Sequence, residues 1–172
     1  MFKKSAIALL TLSLSLSASA NWQVGGGYMN LSDDSDDLDV SLNGVYGSIA
    51  YNYKMENEKF SIVPEFRLGT GVSEDTVDGY YYDVDIELER FIALSARAQY
   101  QMNDNFYMYA LPSYANAKLK ASIGSTSESD DDWEFGYGVG AGFNFRENGI
   151  LNFSYEQYDD ADLFTASLSI QF

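Results

Sequence analysis

The residues best placed to do chemistry are a few charges set among apolar neighbours. Glu65 and Arg67 lie two apart, and Arg97 and Glu156 sit in similar surroundings further along the chain. A side chain of this kind can move a proton, line a path for ions, or pair with its opposite to hold two segments together. Proton transfer to a hydroxyl nucleophile or an attacking water needs a base within hydrogen-bond reach. Histidine, the usual base, is absent from all 172 residues. A carboxylate-only arrangement of Glu65 with Glu156 stays formally open, but the chain reads as no enzyme. Pairing is the bland reading of Glu65, Arg67, Arg97 and Glu156: a polar plug, because buried charge persists when it is paired and hydrogen-bonded. A gated narrow path is the functional reading of the same four.

Runs of aspartate form a second candidate group. Asp33, Asp34, Asp36 and Asp37 fall in one stretch, with Asp130, Asp131 and Asp132 in another. Oxygen clusters suit Ca²⁺ or Mg²⁺. No glycine occupies the sixth position of an EF-hand pattern, so these residues are at most weak divalent sites, perched on what is otherwise a solvated anionic rim. No cofactor is implied. Gly138, Gly140 and Gly142, like Gly25-Gly26-Gly27, lack the following helix that a phosphate-cradling loop requires. A formal net charge of −16 disfavours nucleic acid, which is bound through clustered Lys and Arg.

The elements that would carry these residues are strands. Trp133 to Phe145, W-E-F-G-Y-G-V-G-A-G-F-N-F, alternates strictly. Trp133, Phe135, Tyr137, Val139, Ala141, Phe143 and Phe145 share one face; Glu134, Gly136, Gly138, Gly140, Gly142 and Asn144 share the other. A half-buried soluble strand would show Lys, Glu and Thr on its wet face. Glycines pointing into a narrow barrel, with aromatics in lipid and at its interfaces, explain both faces.

Met1 to Ala20 has the form of a cleavable signal peptide: Lys3-Lys4, an apolar run from Ala6 to Leu16, and Ala18-Ser19-Ala20 as the cleavage site. Residues 21–172 would then form one domain. No segment has the length and apolarity of a spanning helix. Cysteine is absent, so an exported chain carries no covalent staple.

About eight strands follow in order. The first is Asn21 to Leu31. The second runs to about Lys54, with Val45, Ile49, Tyr51 and Tyr53 on its bulky face. The third spans Phe60 to Gly69 and is expected to be irregular at Pro64, which lacks a donor. The fourth ends at Tyr100; Glu87 and Glu89 are placed on its inner face near the mouth, and Arg90 on its outer face. The fifth, Phe106 to Leu119, is apolar on both parities, so its facing stays open. After the Trp133 strand, Asn148-Gly149 suits a two-residue hairpin. Leu151 to Glu156 and Leu163 to Phe172 complete the set. Ser32 to Asp39, Ser73 to Asp85, Lys120 to Asp132 and Gln157 to Asp162 read as acidic loops, alternating with short turns. Four hairpins in series describe an all-β, eight-stranded, antiparallel up-and-down transmembrane β-barrel, which closes without an edge. Short turns belong on the periplasmic side, with both termini, and long loops outside. Trp22, Tyr53, Phe60, Tyr100, Phe106, Phe145 and Phe172 would make one aromatic girdle, and Tyr82, Trp133, Tyr155 and Phe164 the other.

The leader, the W-E-F-G-Y-G-V-G-A-G-F-N-F strand and the terminal S-L-S-I-Q-F resemble the small eight-stranded outer-membrane barrels. This is the broad outer membrane protein beta-barrel domain family, with OmpX-like and OmpA transmembrane-domain-like members. The likeness covers residues 21–172. It implies the outer membrane as location and the barrel as architecture; outer-membrane lipid and lipopolysaccharide are the expected surroundings, with divalent cations at the loops, and the chain is expected to be a monomer. Members differ in task, among them adhesion, structural roles and small pores. The leading expectation is a structural or surface-interaction barrel with a plugged lumen. A narrow small-solute pore and a soluble periplasmic carrier of the lipocalin kind are the alternatives.

Overall fold

Among the described residues ten strands follow one another: β1 Trp22–Asp33, β2 Val40–Tyr51, β3 Tyr53–Lys54, β4 Phe60–Gly71, β5 Glu74–Val77, β6 Val84–Gln101, β7 Phe106–Ile123, β8 Thr126–Phe145, β9 Gly149–Gln157 and β10 Asp162–Gln171. The computed structural model describes residues 21–33, 40–56, 59–77, 84–123, 126–145, 147–159 and 161–172; the side chains of 33, 40, 74–77, 84–85, 122–123 and 126–131 lie outside that description. All pairings are antiparallel. β10 joins β1, β4 joins β6, and the sheet closes on itself. β3 continues β2, and β5 is a short addition to β6 at the loop end, so the barrel has eight staves.

The alternation read from the Trp133 stretch has the expected sidedness. Phe135, Tyr137 and Val139 are 63%, 64% and 64% exposed on the outside, and Gly136 and Gly142 are buried. The glycines face large inward side chains on the neighbouring staves. A Cβ on Gly142 would run into the Tyr107 ring, and one on Gly140 into the Tyr109 ring. The bare face is therefore the space those two tyrosines fill. The open facing of the fifth strand is settled by the same packing: Tyr107, Tyr109, Leu111 and Ser113 point inward, Met108, Pro112 and Tyr114 outward.

Irregularity does occur at Pro64, but on its neighbour. β4 runs unbroken against β6, with Pro64 opposite Ala96. On the other side the ladder stops at Ala50↔Glu65 and resumes at Tyr53↔Ile62, which splits the expected second strand into β2 and β3. An imino nitrogen offers no ladder hydrogen, so the pairing lapses on that edge. Tyr51 is the residue opposite Pro64, and on the other edge the β1–β2 ladder continues undisturbed, with Asn52 N–H donating to the Asn21 carbonyl at 2.7 Å.

Three expected connections change, the first being Ser73 to Asp85, read as a loop, where Glu74–Val77 forms β5 and pairs with Val84 to Glu87. The segment Lys120 to Asp132, read as a loop, is largely a β-hairpin extending β7 and β8 to Ile123↔Thr126. Its register sets Lys118 opposite Asp131. The turn after β8 has three residues, because Gly149 already pairs with Phe145. Glycine is required there, since a Cβ would lie 2.6 Å from the Phe145 ring. The turn before β7 is tied by Asn103, whose Oδ1 accepts from the N–H groups of Asn105 (3.0 Å) and Phe106 (2.9 Å).

Candidate functional site

The barrel interior and the loop-end rim hold those of the charged side chains named above that the structure describes. Arg67 projects inward from β4 and Glu156 from β9, which is the stave diametrically opposite. Arg67 Nη1 and Nη2 donate to Glu156 Oε1 and Oε2, both at 2.6 Å. The two residues are 2% and 0% exposed. Glu156 also accepts from Tyr158 Oη at 3.0 Å and Ser154 Oγ at 3.3 Å. The Arg67 guanidinium lies 5.7 Å from the centroid of the Phe91 ring. A planar, two-pronged pair of this kind fixes distance and angle together.

Arg97 forms a second, looser brace. Its Nη2 donates to Gln23 Oε1 at 2.9 Å, and its Nε stands 3.5 Å from Glu65 Oε2, within ion-pair range but without a hydrogen bond. Its guanidinium lies 5.7 Å from the Tyr109 ring centroid. Glu65, Arg67, Arg97 and Glu156 project into the lumen as two pairs on successive levels.

Sequence reasoning passed over the apolar half of the lumen. At the loop end the interior is a packed cluster that includes Met29, Leu31, Leu42, Leu88, Phe91 and Leu163. At the turn end the buried interior is rich in polar groups, among them Gln23, Asn52, Gln99, Asn152 and Ser169. The signal was available for Met29, Leu31, Leu42, Phe91 and Leu163, each of which has the inward parity of its strand; Leu88 alone of these does not. It was obscured by attention to the Gly/Ser/Asn positions of the later strands.

Glu87 and Glu89 are not inside, contrary to the parity count. The register between β6 and β7 shifts between Leu88 and Arg90, a β-bulge that adds one residue to β6. Leu88 turns into the core and both glutamates turn out. Glu89 pairs with Lys118 at 2.5 Å and Glu87 with Lys120 at 2.7 Å. Arg90 donates to Asn116 Oδ1 at 3.2 Å. This charged belt lies about one ladder step beyond Trp133, which stacks on Tyr114 at 5.0 Å between centroids. The Lys118 ammonium holds the Glu89 carboxyl below the usual carboxylate range.

Of the candidate divalent ligands, Asp34, Asp36 and Asp37 lie outside the described residues. Asp33 ends β1, while Asp130 and Asp131 sit on β8 rather than in a loop; their side chains lie outside the description. Asp132 is exposed. Among the described residues no three His, Cys, Asp or Glu converge as a metal site.

Outside, the aromatic side chains pair near the two ends. Phe60 and Tyr100 meet at 4.9 Å and Trp22 and Tyr51 at 5.2 Å toward the turns, with Trp133, Tyr155 and Phe164 exposed toward the loops. Tyr82 lies outside the described residues. Among the described residues no helix is long and apolar enough to cross a membrane; the strands carry the apolar exterior. The profile of the family described as outer membrane protein beta-barrel domain matches residues 5–172. The chain belongs to that family. As a member it is an outer-membrane barrel, and the exposed apolar face is the face that meets lipid.

Solved structures with the same fold include Ail, the attachment invasion locus protein of Yersinia pestis. The identity is 21%, with 89% of this chain and 98% of that chain covered and a TM-score of 0.60. Ail has also been solved in complex with the heparin analogue sucrose octasulfate. Neisserial surface protein A is similar at 10% identity, 88% and 97% coverage and a TM-score of 0.61. The N-terminal barrel domain of Pseudomonas aeruginosa OprF is similar at 12% identity, 87% and 97% coverage and a TM-score of 0.59. No curated protein sequence matches the chain.

Proposed function

We propose that this protein is a non-enzymatic barrel whose lumen is sealed and whose working surface is its loop end. The single observation that carries the reading is the Arg67–Glu156 brace lying against a dry apolar cluster. An ion crossing that level would have to separate a buried pair and then pass Met29, Phe91 and Leu42. Eight staves leave an interior that side chains fill. The absence of histidine from the sequence agrees with a role without catalysis. A lipocalin-like carrier would enclose its bulky face around a ligand, whereas here that face is the exterior.

The loop end suits contact with other molecules. β6, β7 and β8 are 18, 18 and 20 residues long, against 9 and 10 for β9 and β10, so a sheet rises past its neighbours. Binding residues concentrate on such projections held by a rigid scaffold. Lipopolysaccharide is the first candidate partner, bridged to the acidic segments by weakly held divalent cations. Ail, in complex with a polyanionic sugar, illustrates surface contact on the same fold. The orientation we infer places the turns and both termini in the periplasm, after cleavage of a signal peptide at Ala20, and the barrel acts as a monomer.

Planar-bilayer recording on the folded protein tests the seal: no discrete current steps are expected, and steps of porin size would overturn it. The chain has no cysteine, so single cysteines at Ser129 and Asn103 report sidedness cleanly. A membrane-impermeant maleimide added to intact cells should label position 129 and spare 103.

A further inference from the structure

The turn-end mouth has a chemistry that the seal does not use. A cavity of about 540 Å³ opens there. Its walls carry carboxamides from four strands, from the break between β2 and β3 and from one turn, including Gln23, Asn52, Gln99, Gln101, Asn144 and Gln171. Its rim carries Lys54 and Lys59 against Asp104 and Glu147, two charges of each sign. Tyr107 and Ile150, both buried, add an apolar patch, and the Tyr107 hydroxyl is already committed to Asn152 Oδ1 at 2.6 Å.

Two of the carboxamides are incompletely satisfied. Gln99 is 6% exposed; its Oε1 accepts from Ser61 Oγ at 3.2 Å, yet its Nε2 has no partner. Asn52 is 9% exposed, and its Oδ1 has none. A buried donor and a buried acceptor left unmatched each carry a desolvation cost. Both side chains line this cavity, although each unmatched atom is itself closed off from solvent until the carboxamide turns.

A carboxamide offers a donor and an acceptor without net charge. A wall of them discriminates against ions: a phosphate or carboxylate would leave the acceptor oxygens facing its own oxygens, and an ammonium would leave the N–H groups facing its own hydrogens. The group that suits such a wall, and that a turned Gln99 or Asn52 carboxamide could meet with either end, is a hydroxyl, which donates and accepts. Water does so too, but water has no use for the apolar patch of Tyr107 and Ile150. A sugar ring presents hydroxyls at its edge and C–H groups on its face. The volume lies within the roughly 300–1,000 Å³ range of small-ligand sites.

We propose that the turn-end mouth is a binding site for a neutral, polyhydroxylated ligand of one or two sugar rings. The site lies on the turn side of the Arg67–Glu156 brace, so a conducting barrel would not remove it. Such a ligand arrives either free or as the end of a longer glycan.

The test is a nuclear magnetic resonance titration of the ¹⁵N-labelled, folded barrel in phosphocholine micelles, which carry no sugar headgroup. The probes are maltose, a tetramer of N-acetylglucosamine, and inorganic phosphate. The side-chain N–H₂ signals of Gln99 and Asn52 are expected to shift and saturate with a saccharide and not with phosphate. Saturation with maltose identifies free sugar; saturation with the tetramer alone identifies a glycan end. Gln99→Met should weaken saccharide binding about tenfold, and Asn52→Leu should do the same, while neither lowers the urea midpoint of the sugar-free barrel. Shifts that grow linearly without saturating mean that water alone fills the mouth, and they overturn the proposal. So does saturation by phosphate only, or undiminished saccharide binding in both variants.

Discussion

Arg67 on β4 and Glu156 on β9 are 89 residues apart in sequence and face each other across the full width of the barrel, joined by two hydrogen bonds of 2.6 Å. The pair works as a cross-brace. It links opposite staves that share no ladder, and it does so where the interior changes from polar to apolar. Removing one partner strands a charge in a site with no solvent.

Arg67→Met should therefore destabilise the barrel by about 3–5 kcal/mol, whereas Arg67→Met with Glu156→Leu should recover most of that loss. Urea unfolding of the micelle-folded variants measures both. A double variant as unstable as the single would mean that shape, and not the stranded carboxylate, sets the cost.

Arg97→Ala is expected to cost about 1–3 kcal/mol, through loss of the bond to Gln23 and isolation of Glu65. The bilayer current should stay at baseline, because the Arg67 level is untouched. A large current step with an unchanged urea midpoint would show that the lumen opens at Arg97.

Glycines on the two faces should respond differently to alanine. A Cβ on Gly138 would meet the Tyr155 carbonyl and lie 2.9 Å from Glu156 Cα, both backbone atoms that cannot step aside. Gly138→Ala should cost about 1–3 kcal/mol. The nearest atom to a Cβ on Gly47 is 3.9 Å away, so Gly47→Ala should be neutral or stabilising by up to about 1 kcal/mol. Heat-shift gels rank the two; equal behaviour would contradict the packing described here.

At the charged belt, the Glu89 carboxyl is depressed by its hydrogen bond to Lys118. A depressed carboxyl stabilises the fold above its unfolded value and loses that contribution as pH falls through the folded one. Acidification below the ordinary glutamate range should therefore release the pair. The carboxyl resonance of Glu89 should titrate lower than that of a free glutamate, and Lys118→Met should bring it back up. A titration unaffected by Lys118→Met would assign the depression elsewhere.

The architecture was legible because a barrel in lipid reads out one period on every stave. Phe135, Tyr137 and Val139 declare the outside, and once the outside is known Arg67, Arg97 and Glu156 fall inside by counting. Counting fails wherever a residue is inserted. The bulge at Leu88–Arg90 has no glycine or proline to announce it, and it moved Glu87 and Glu89 to the opposite face. Composition misled at Lys120 to Asp132, where Ser and Asp suggested a loop. There the cross-strand partners on β7 decide, and a partner is not visible in a local window. Which inward residues meet is likewise a matter of register: nothing near Arg67 in sequence points to Glu156.

Ten residue pairs join β1 to β10, and Trp22 and Phe172 exchange backbone hydrogen bonds at 3.1 and 2.9 Å. The earliest stave to emerge therefore finds half of its hydrogen-bonding partners in the latest. Until then its free edge is available to any passing chain. Closure of the ring therefore waits for the last stave, in whatever order the hairpins between them form.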